Sequence, residues 1–549
     1  MNYKELAELL FPNITTTVEE IEKKYPKRNL PEGAKVTRFA PSPTGFVHMG
    51  SLLSAFENYR FAHDSNGVFF LRIEDTDQER SVENGISGIV RDLANFGIVP
   101  DEGMLNENES KGNYGPYIQS MRKEIYQTYI KDLVSKGLAY PCFCSHEMLD
   151  ETRTLQELNK ERIGYYGSYA RCRNLTMEEV KDHLAKGDKY VIRLKSPGDF
   201  NNKVVLHDEI RGDIEFPEND QDIVILKSND SLPTYHFAHA VDDHLMHTTH
   251  VMRGEEWVSS YPVHEQLFKV LGFELPKYAH LGLVMKIDED GTRRKLSKRK
   301  DPEASVSFYH EKGVPIEAVK IYLMTIANSN FEAWMDEHPN EDYRNFKLSF
   351  DKISVSGSLF DIEKLFNISK NYISKMTSED LYNEALKWAL EFDQELYDLM
   401  KKYDKYTKDI FSIERYQEKP RKDYSSYSDI KSHIWYMYDE LFNPTSYEWQ
   451  KITDRDEITK IVMEYFDNYY DQNDDKETWF NKVKMLTEKL GYAANMKDYR
   501  KNPENYKGSV ADISTVIRVM VTSRSMTPDL YEILKLLGPE RIKKRLLRF

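Results

Sequence analysis

The sequence predicts an α/β protein built on a doubly wound parallel sheet, and three observations lead to this prediction. Short apolar runs alternate with helical patterns from residue 36 onward, beginning with "KVTRFA" and "GVFFLRIEDTD". This strand–helix–strand order implies parallel strands joined by right-handed crossovers. Residues 113–220 interrupt the alternation, and only helical periodicity follows residue 305. We therefore expect a parallel sheet with an insertion, followed by an all-α region.

Local patterns justify the first elements in turn. Residues 1–35 are expected to form a small helical extension, in which Thr16 and Glu19 make a capping box and Pro26 ends the helical pattern. The apolar face of that helix is formed by Ile14, Val18, Ile21 and Tyr25. A buried strand follows, then a Pro/Gly turn, and then a helix over about residues 50–62 that ends before "SNG". The second strand ends in acidic residues and leads into the helical "VENGISGIVRDLANFG".

Composition and length place the chain among ordinary globular proteins. With 549 residues, 40% hydrophobic and 12% aromatic, it is long enough for roughly three to four compact units. We find no run of 18 apolar residues and no signal-peptide pattern at the start, so no membrane span is expected. Three cysteines cannot build a disulfide framework, which favours a reducing cytoplasm. We also expect a monomer.

The net charge of −15 argues against nonspecific nucleic-acid binding, but charge distribution matters more than the sum. Two segments concentrate basic residues, "RRKLSKRK" at 293–300 and "RIKKRLLRF" at the C-terminus. A run of charged residues is most often a solvated surface. Lysines on a loop, however, also stabilise a polyphosphate whose negative charge grows during phosphoryl or nucleotidyl transfer.

The segment "FAPSPTGFVHMG" carries an anion site in our interpretation. It lies between the first strand and the first sheet helix, where open parallel sheets bind ligands. The unpaired N–H groups of a helix N-terminus suit a phosphate, Gly50 lets a ligand approach the backbone, and His48 adds a donor. A lone histidine at this point also serves as a helix cap or a core residue. The segment is neither a P-loop nor a dinucleotide G-x-G-x-x-G motif.

Five motifs together resemble one family. In order and spacing, "APSPTGFVHMG", "RIEDTD", "YHFAHAVDDH", "RGEEW" and "KLSKR" resemble the bacterial type of glutamyl-tRNA synthetases. These are class I aminoacyl-tRNA synthetases, whose two signatures are known as HIGH and KMSKS. The resemblance is close over residues 36 to about 310 and looser toward the C-terminus. It implies a Rossmann-like catalytic domain with an inserted tRNA acceptor-binding subdomain and an α-helical anticodon-binding region.

The resemblance assigns a role to each predicted region. Residues 36–112 and 221–305 are expected to form the two halves of the catalytic domain, separated by the acceptor-binding subdomain at 113–220. Residues 306–375 are expected to be a helical region that contacts the tRNA stem, and residues 376–549 to bind the anticodon. The extension at 1–35 has no role that the sequence identifies.

The resemblance also implies the reaction. The α-carboxylate of L-glutamate attacks the α-phosphate of ATP, which binds with Mg²⁺, and the glutamyl group then passes to the terminal ribose of tRNA(Glu). No enzyme nucleophile is needed, so positioning and charge stabilisation carry catalysis. The implied catalytic residues are His48 and Lys298, with Lys295 assisting. The implied ATP-binding residues are His48, Gly50, Glu256, Val284 and Lys298.

For the amino acid, two arginines match the family positions, and an arginine binds a carboxylate in a bidentate way that lysine cannot. Glu74 matches the carboxylate that holds the substrate ammonium. The implied glutamate-binding residues are Arg38, Ala40, Ser42, Glu74, Tyr235, His239 and Arg253. His239 departs from the common family pattern, which has asparagine there. If it contacts glutamate, its charge makes glutamate affinity depend on pH.

The cysteines pose a separate question. Cys142-x-Cys144 followed by Cys172-x-Asn174 resembles the zinc site of some bacterial members, Cys-x-Cys…Cys-x-His. Asn174 is a poor zinc ligand, and His146 would crowd three ligands into five residues. We therefore expect a degenerate site closed by packing, without zinc.

Three alternative functions agree less well with the sequence. A short paralogue that glutamylates queuosine on a tRNA lacks an anticodon-binding region, whereas this chain continues some 200 residues past "KLSKR". A glutaminyl-tRNA synthetase would end in a β-barrel region. A catalytically dead RNA-binding relative would have lost His48, Gly50 or the second lysine of "KLSKR". Whether the enzyme also charges tRNA(Gln) stays open.

Overall fold

The structure is a computed structural model that describes residues 1–43, 47–77, 82–297 and 299–549. The chain divides into two compact units, which we call unit 1 (Met1–Phe308 with Lys320–Ile362) and unit 2 (Tyr309–Val319 with Glu363–Phe549). Among the described residues, no helix combines the length and apolar character that crossing a bilayer requires.

The first part of unit 1 forms the start of a parallel sheet. Its elements are α1 (Tyr3–Leu10), α2 (Val18–Lys24), β1 (Val36–Phe39), α3 (Met49–His63), β2 (Val68–Leu71), α4 (Gly85–Ala94), β3 (Glu102–Met104) and β4 (Ser110–Lys111). Strands β1, β2 and β3 pair in parallel, and β4 closes the edge antiparallel to β3. The predicted parallel sheet with helical crossovers is therefore confirmed.

The N-terminal extension is helical, but its capping box lies one residue later than predicted. Thr17, not Thr16, is the N-cap of α2: Glu20 N–H donates to Thr17 Oγ1, and Glu20 accepts from Thr17 N–H at 2.8 Å. Thr16 instead donates its hydroxyl to Glu124 at 2.6 Å. The pattern T-T-T-V-E-E offers three possible caps, and this tertiary contact accounts for the use of Thr16 elsewhere.

The interruption after β4 contains helices and antiparallel strands. Its elements are α5 (Lys123–Ser135), β5 (Ala139–Cys142), α6 (His146–Leu158), α7 (Met177–Lys186), β6 (Val191–Leu194), β7 (Lys203–Asp208), β8 (Gly212–Pro217) and β9 (Val224–Leu226). Strands β5, β6 and β9 form a small antiparallel sheet. Strands β7 and β8 form a hairpin.

The alternation then resumes as predicted. The next elements are α8 (Tyr235–Leu245), β10 (His250–Gly254), α9 (Tyr261–Leu271), β11 (Lys277–Leu281), β12 (Val284–Ile287), β13 (Arg293–Lys295), α10 (Ser307–Lys312), α11 (Ile316–Ala327), α12 (Phe331–Glu337) and β14 (Ser358–Leu359). Strands β10 and β11 are parallel, and Thr249 N–H donates to Val36 O at 3.0 Å, which brings β10 beside β1. Strand β11 also pairs in parallel with β7, so the β7–β8 hairpin extends the sheet of the second catalytic half.

Strand β14 corrects the expectation that only helices follow residue 305. It pairs in parallel with β12, through Val284 with Ser358, and β12 also pairs antiparallel with β13. Two residues are too few to produce a period-2 pattern in the sequence, which is why periodicity missed this strand.

Helices form the rest of the chain, as predicted. They are α13 (Ile362–Lys375), α14 (Ser378–Phe392), α15 (Gln394–Lys402), α16 (Asp404–Ser412), α17 (Ile430–Ile434), α18 (Arg455–Asn468), α19 (Lys476–Lys489), α20 (Met496–Lys501), α21 (Val510–Thr522) and α22 (Leu530–Leu546). Ile461, Val483 and Ile517 on α18, α19 and α21 are completely buried, and each such side chain contributes about 1.5–3 kcal/mol. α22 changes direction at Gly538, whose φ of 65° suits glycine.

Candidate active site

Unit 1 contains a cavity of about 1160 Å³ at the carboxyl ends of β1, β2, β10 and β11. Open parallel sheets bind ligands at this edge. The sequence-predicted site residues that line it are Arg38, Ala40, Ser42, His48, Gly50, Glu74, Tyr235, Arg253, Glu256, Val284 and Lys295. Lys298, the predicted second catalytic residue, lies outside the described residues. His239 is not among the residues that line the cavity.

His48 is the N-cap of α3 and also lines the cavity. Its Nδ1 accepts from the backbone N–H of Ser51 at 3.1 Å, and its Nε2 lies 3.0 Å from Ser51 Oγ. Because Nδ1 accepts a hydrogen bond, the proton of the neutral ring sits on Nε2. His48 therefore caps the helix through Nδ1, while its Nε2–H points to the hydroxyl of Ser51 in the same turn.

Gly50 provides a surface without a side chain next to the imidazole. A Cβ atom at this position would lie 3.3 Å from two atoms of the His48 ring and 3.7 Å from Val284 Cγ2. Any larger side chain would displace one of these groups. The first turn of α3 is thus kept open on the side that faces β12, and the dipole of α3 favours an anion there.

The loop after β13 brings basic side chains to the other side of the cavity. Lys295, Ser297 and Arg299 all line it. Asp301 anchors the loop, since it accepts from Ser297 N–H at 2.8 Å and forms an ion pair with Arg294 at 2.7 Å. These contacts hold the pKa of Asp301 well below its usual range, with the Arg294 hydrogen bond contributing most. Asp301 thereby fixes the base of the loop that carries Lys295 and Arg299.

Two buried arginines form the opposite end. Arg38 Nε donates to Asp243 at 3.1 Å, and Arg38 Nη1 donates to the carbonyl of Met252 at 3.4 Å. Arg253 Nε donates to His280 Nε2 at 3.1 Å, and its Nη2 donates to the carbonyl of Trp257 at 3.4 Å. Arg253 Nη1 is buried and has no hydrogen-bond partner among the described residues. An unsatisfied buried cation is costly, and an anionic ligand would satisfy it.

Asp243 and Arg72 lie buried beside these arginines and Glu74, and the sequence analysis did not select these two residues. Arg72 donates to Asp243 at 2.8 Å and to Glu74 at 2.9 Å. Burial raises the pKa of Glu74, while the charges of Arg72 and Arg38 oppose that shift. Asp243 stands in the "AVDDH" of α8 and Arg72 in "FFLRIE", so both lie inside motifs already quoted. The sequence did contain a signal for Asp243 and Arg72, because each is a charged residue in an otherwise apolar strand or helix face.

His239 occupies a different place from the one predicted. Its side chain is fully buried behind Tyr235, and the two rings are stacked with centroids 5.7 Å apart. Its Nδ1 lies 2.6 Å from Asp243 Oδ2 and its Nε2 lies 2.8 Å from Tyr278 Oη. The ring is enclosed by protein groups, and burial lowers the pKa of His239 to about 3. The glutamate contact of His239 and the charge switch that depends on it stay predictions, and the burial of a neutral ring argues against the switch near pH 7.

Glu57 is a cavity residue that the sequence analysis missed. It lies two turns after Gly50 on the same face of α3 and lines the cavity. Its side chain is 2% exposed, and Oε2 has no hydrogen-bond partner among the described residues. Burial raises the pKa of Glu57 to about 8. Because a glutamate inside a helix usually faces solvent, nothing in the sequence indicated that Glu57 would line a cavity.

The three cysteines lie together away from this cavity. Their sulfur atoms lie within 4.8 Å of one another, and Cys144 Sγ lies 3.6 Å from Cys172 Sγ. The hydroxyl of Tyr165 lies 3.3 Å from the sulfurs of both Cys142 and Cys144. Hydrogen bonds from the other two thiols lower the pKa of Cys142. Asn174, which stands where the resemblance has a fourth ligand, is exposed, and burial raises the pKa of Tyr165, so its hydroxyl stays protonated beside the thiols.

Comparisons with known proteins agree with this architecture. A family model described as tRNA synthetases class I (E and Q), catalytic domain, matches residues 35–365. A second, described as an anticodon binding domain, matches residues 395–549. The solved glutamate tRNA ligase of Elizabethkingia meningosepticum, in complex with its amino acid, superposes with a TM-score of 0.75 at 26% identity. That comparison covers 94% of this chain and 98% of the other.

Sequence relatives match over the full length. The chain is 49% identical over 552 residues to a glutamate–tRNA ligase of Clostridium perfringens (strain SM101 / Type A), covering 100% of both chains. It is also 49% identical over 549 residues to a glutamate–tRNA ligase of Acetivibrio thermocellus, again covering 100% of both. With this identity, the two family models and the site geometry, the chain belongs to the glutamate–tRNA ligases, which are class I aminoacyl-tRNA synthetases.

Proposed function

We propose that the cavity of unit 1 activates L-glutamate with ATP and that the glutamyl group then passes to the 3′-terminal adenosine of tRNA(Glu). One observation carries the assignment of this reaction to this cavity. A helix N-terminus with His48 and a basic loop stand at one side, and two buried arginines with a carboxylate stand at the other. The cavity is therefore matched to a polyphosphate and to an amino acid with a second carboxylate at the same time.

The amino-acid end selects for glutamate through charge. Arg253, with its unpaired Nη1, and Arg38 supply two cations for the side-chain carboxylate. Glu74 supplies the negative charge for the substrate ammonium, and Tyr235 adds a hydroxyl. Ala40 and Ser42 complete the wall beside Arg38. Glutamine binds less well because its neutral amide cannot form two charge-assisted hydrogen bonds.

The nucleotide end holds the triphosphate. We propose that the N–H groups at the start of α3 and the His48 side chain, whose Nε2 lies 3.0 Å from Ser51 Oγ in the free cavity, bind phosphate oxygens, and that Lys295 and Lys298 supply positive charge. Gly50 has no side chain, and we propose that the adenosine lies against this bare stretch of backbone in the cavity wall. Glu256 is proposed to bind the ribose hydroxyls and the backbone at Val284 to bind the adenine edge.

The chemistry then needs no enzyme nucleophile. The α-carboxylate oxygen of glutamate forms a bond to the α-phosphorus while the bond to the β-phosphate oxygen breaks, giving glutamyl-adenylate and pyrophosphate. In the second step, the ribose hydroxyl of the terminal adenosine attacks the glutamyl carbonyl, and AMP leaves. Mg²⁺ enters bound to ATP as part of that substrate. The residues named here hold the reactants in line and stabilise the charge that develops on the phosphate.

The remaining regions are proposed to bind tRNA. We assign the acceptor end to residues 113–220, the stem to the helical region 306–375, and the anticodon arm to the helices of 376–549. We further propose that the enzyme works as a monomer in the cytoplasm. Light scattering coupled to size exclusion, with and without tRNA, tests whether the enzyme is a monomer. Fractionation of cells tests whether it is cytoplasmic.

Aminoacylation assays test the proposed function directly. Each purified tRNA is incubated with labelled glutamate, ATP and Mg²⁺, and charged tRNA is collected by acid precipitation. We expect charging of tRNA(Glu), and the same assay on tRNA(Gln) determines whether specificity extends to it. Glutamine in place of glutamate serves as the control for amino-acid selection. Failure to charge any tRNA with glutamate would refute the proposal.

A further inference from the structure

Arg253 is held from behind by a chain of buried hydrogen bonds. Its Nε donates to His280 Nε2 at 3.1 Å, and His280 Nδ1 lies 2.6 Å from Asp208 Oδ2. His280 and Asp208 are both 0% exposed. Asp208 ends β7 and His280 lies in β11, so the chain crosses from the β7–β8 hairpin into the strand beside β10, which carries Arg253.

The environment of Asp208 determines which way the protons point. Its Oδ1 accepts from the backbone N–H groups of Ile210 at 3.0 Å and Arg211 at 2.9 Å. Its Oδ2 accepts from the backbone N–H of His280 at 3.0 Å as well as from Nδ1. Both oxygens are acceptors, so the Nδ1 atom of His280 must carry a proton. The Nε2 atom of a neutral ring then has a lone pair, which is what the Nε–H of Arg253 requires.

The same contacts leave one part of the guanidinium available. Nε is used by His280, Nη2 donates to the carbonyl of Trp257, and the guanidinium carbon lies 4.7 Å from the centroid of the Tyr278 ring. Nη1 alone has no hydrogen-bond partner among the described residues. Other protein groups thus set the orientation of the Arg253 guanidinium before any ligand binds.

We propose that Asp208 and His280 are positioning residues that orient the Arg253 guanidinium toward the side-chain carboxylate of the amino-acid substrate. This inference rests on the binding role proposed above for Arg253. Asp208 fixes the tautomer of His280, and His280 fixes the rotation of Arg253. Arg211 of the same hairpin adds a second link, since its Nε donates to the carbonyl of His280 at 3.1 Å. The position of the β7–β8 hairpin is thereby coupled to the geometry of the amino-acid pocket.

Substitution of Asp208 reverses the proton arrangement. In Asp208→Asn the amide oxygen can satisfy Ile210 and Arg211, and the NH₂ group then faces His280. His280 must then accept at Nδ1 and carry its proton on Nε2. The Nε2–H of His280 and the Nε–H of Arg253 would face each other as two donors without an acceptor. We expect KM for glutamate to rise about 10- to 100-fold, the range for losing a hydrogen bond to a charged group. KM for ATP is expected to change less than about threefold.

His280 variants separate positioning from packing. His280→Gln can place an amide oxygen near the position of Nε2 and is expected to recover most of the affinity for glutamate. His280→Leu fills the space without an acceptor and is expected to resemble Asp208→Asn. The matched control is His207→Gln, one residue earlier in the hairpin, where the side chain is exposed. It should leave both KM values unchanged.

The measurements are ATP–pyrophosphate exchange with the full chain and tRNA present, at varied glutamate and at varied ATP, together with the melting temperature of each variant. Arg253→Lys tests the underlying assignment separately. If Arg253→Lys leaves KM for glutamate unchanged, the proposed role of Arg253 fails. If Arg253→Lys raises it but His280→Leu and His280→Gln both match the unmodified enzyme, the relay alone is wrong. A parallel rise of both KM values with a lower melting temperature also overturns the relay, because it indicates general loss of structure.

Discussion

Asp243 Oδ1 lies 3.1 Å from Arg38 Nε, with both side chains buried, so a carboxylate of the protein holds an arginine that we propose for the substrate carboxylate. Asp243 also accepts from Arg72 at 2.8 Å. Although burial opposes ionisation, the charges of Arg38 and Arg72 hold the pKa of Asp243 well below its usual range. The amino-acid end of the cavity therefore depends on Asp243 and Arg72, which are not among the residues that line it.

Removing the charge of Asp243 should affect stability and binding together. Asp243→Asn leaves two buried arginines short of one negative charge, and breaking a buried ion pair costs about 3–5 kcal/mol. We expect urea unfolding to show a loss of that size and KM for glutamate to rise. The control is Asp213→Asn, whose carboxyl is exposed and should change stability by less than about 0.5 kcal/mol. Equal small effects from both variants would contradict this account.

His48 is expected to act mainly in the transition state. His48→Ala removes a donor aimed at developing phosphate charge, and loss of one such donor lowers kcat by about 10²–10³-fold. KM for glutamate should change far less, because the arginines bind that substrate. Steady-state pyrophosphate exchange measures both values, and His63→Ala at the other end of α3 is the control. Equal changes in kcat and KM would place His48 in ground-state binding instead.

Glutamate affinity should not depend on the ionisation of His239. Burial holds its pKa at about 3, so the ring is neutral throughout the range from pH 6 to pH 8. We therefore expect KM for glutamate to be flat across that range. Initial rates at saturating ATP and tRNA, measured at half-unit pH intervals, test this. A titration near pH 6.5 that disappears in His239→Asn would show that the ring does ionise.

Glu57 should make the protein less stable as pH rises. Its pKa is raised to about 8, so the folded chain keeps a proton that the unfolded chain loses above its normal value of 4.5. Between these limits the folded state binds more protons, and stability falls by up to about 1.4 kcal/mol per pH unit. Glu57→Gln should be more stable than the unmodified protein at pH 8 and nearly equal at pH 5. Denaturant unfolding of both proteins at pH 5 and at pH 8 measures this difference. The same difference in unfolding free energy at the two pH values would contradict the prediction.

The cysteine cluster should retain zinc. The three thiols lie within 4.8 Å of one another and supply sulfur ligands of the type that zinc accepts, with the fourth position left to water, and a bound ion would join β5 to the segment around Cys172. We expect about one zinc per chain after purification without chelators, and less in Cys144→Ser. Elemental analysis and thiol titration measure this. Zinc-free protein with three reactive thiols would support the degenerate site expected from the motif.

Local sequence determined much of the fold. The buried strands β1 and β2 follow from short continuous apolar runs, and the helix after the Pro/Gly turn and the helical C-terminal region follow from a periodicity of 3.6. The motifs also selected the residues that line the cavity, because each motif is short and stands at the end of a strand or the start of a helix. These properties depend on residues close to one another in the chain.

Tertiary structure alone decided how distant residues pair. The burial of His239 against Tyr278, the contact of Tyr165 with Cys142 and the pairing of β7 with β11 each join segments far apart in the sequence. The same holds for Asp208 and His280, which are separated by 72 residues. A titratable side chain has a protonation state set by its burial and its partners, and neither is encoded in its neighbours along the chain. Sequence therefore indicated many of the residues that face the cavity, and only packing decided that Glu57 joins them, that His239 lies behind them, and how their side chains are oriented and charged.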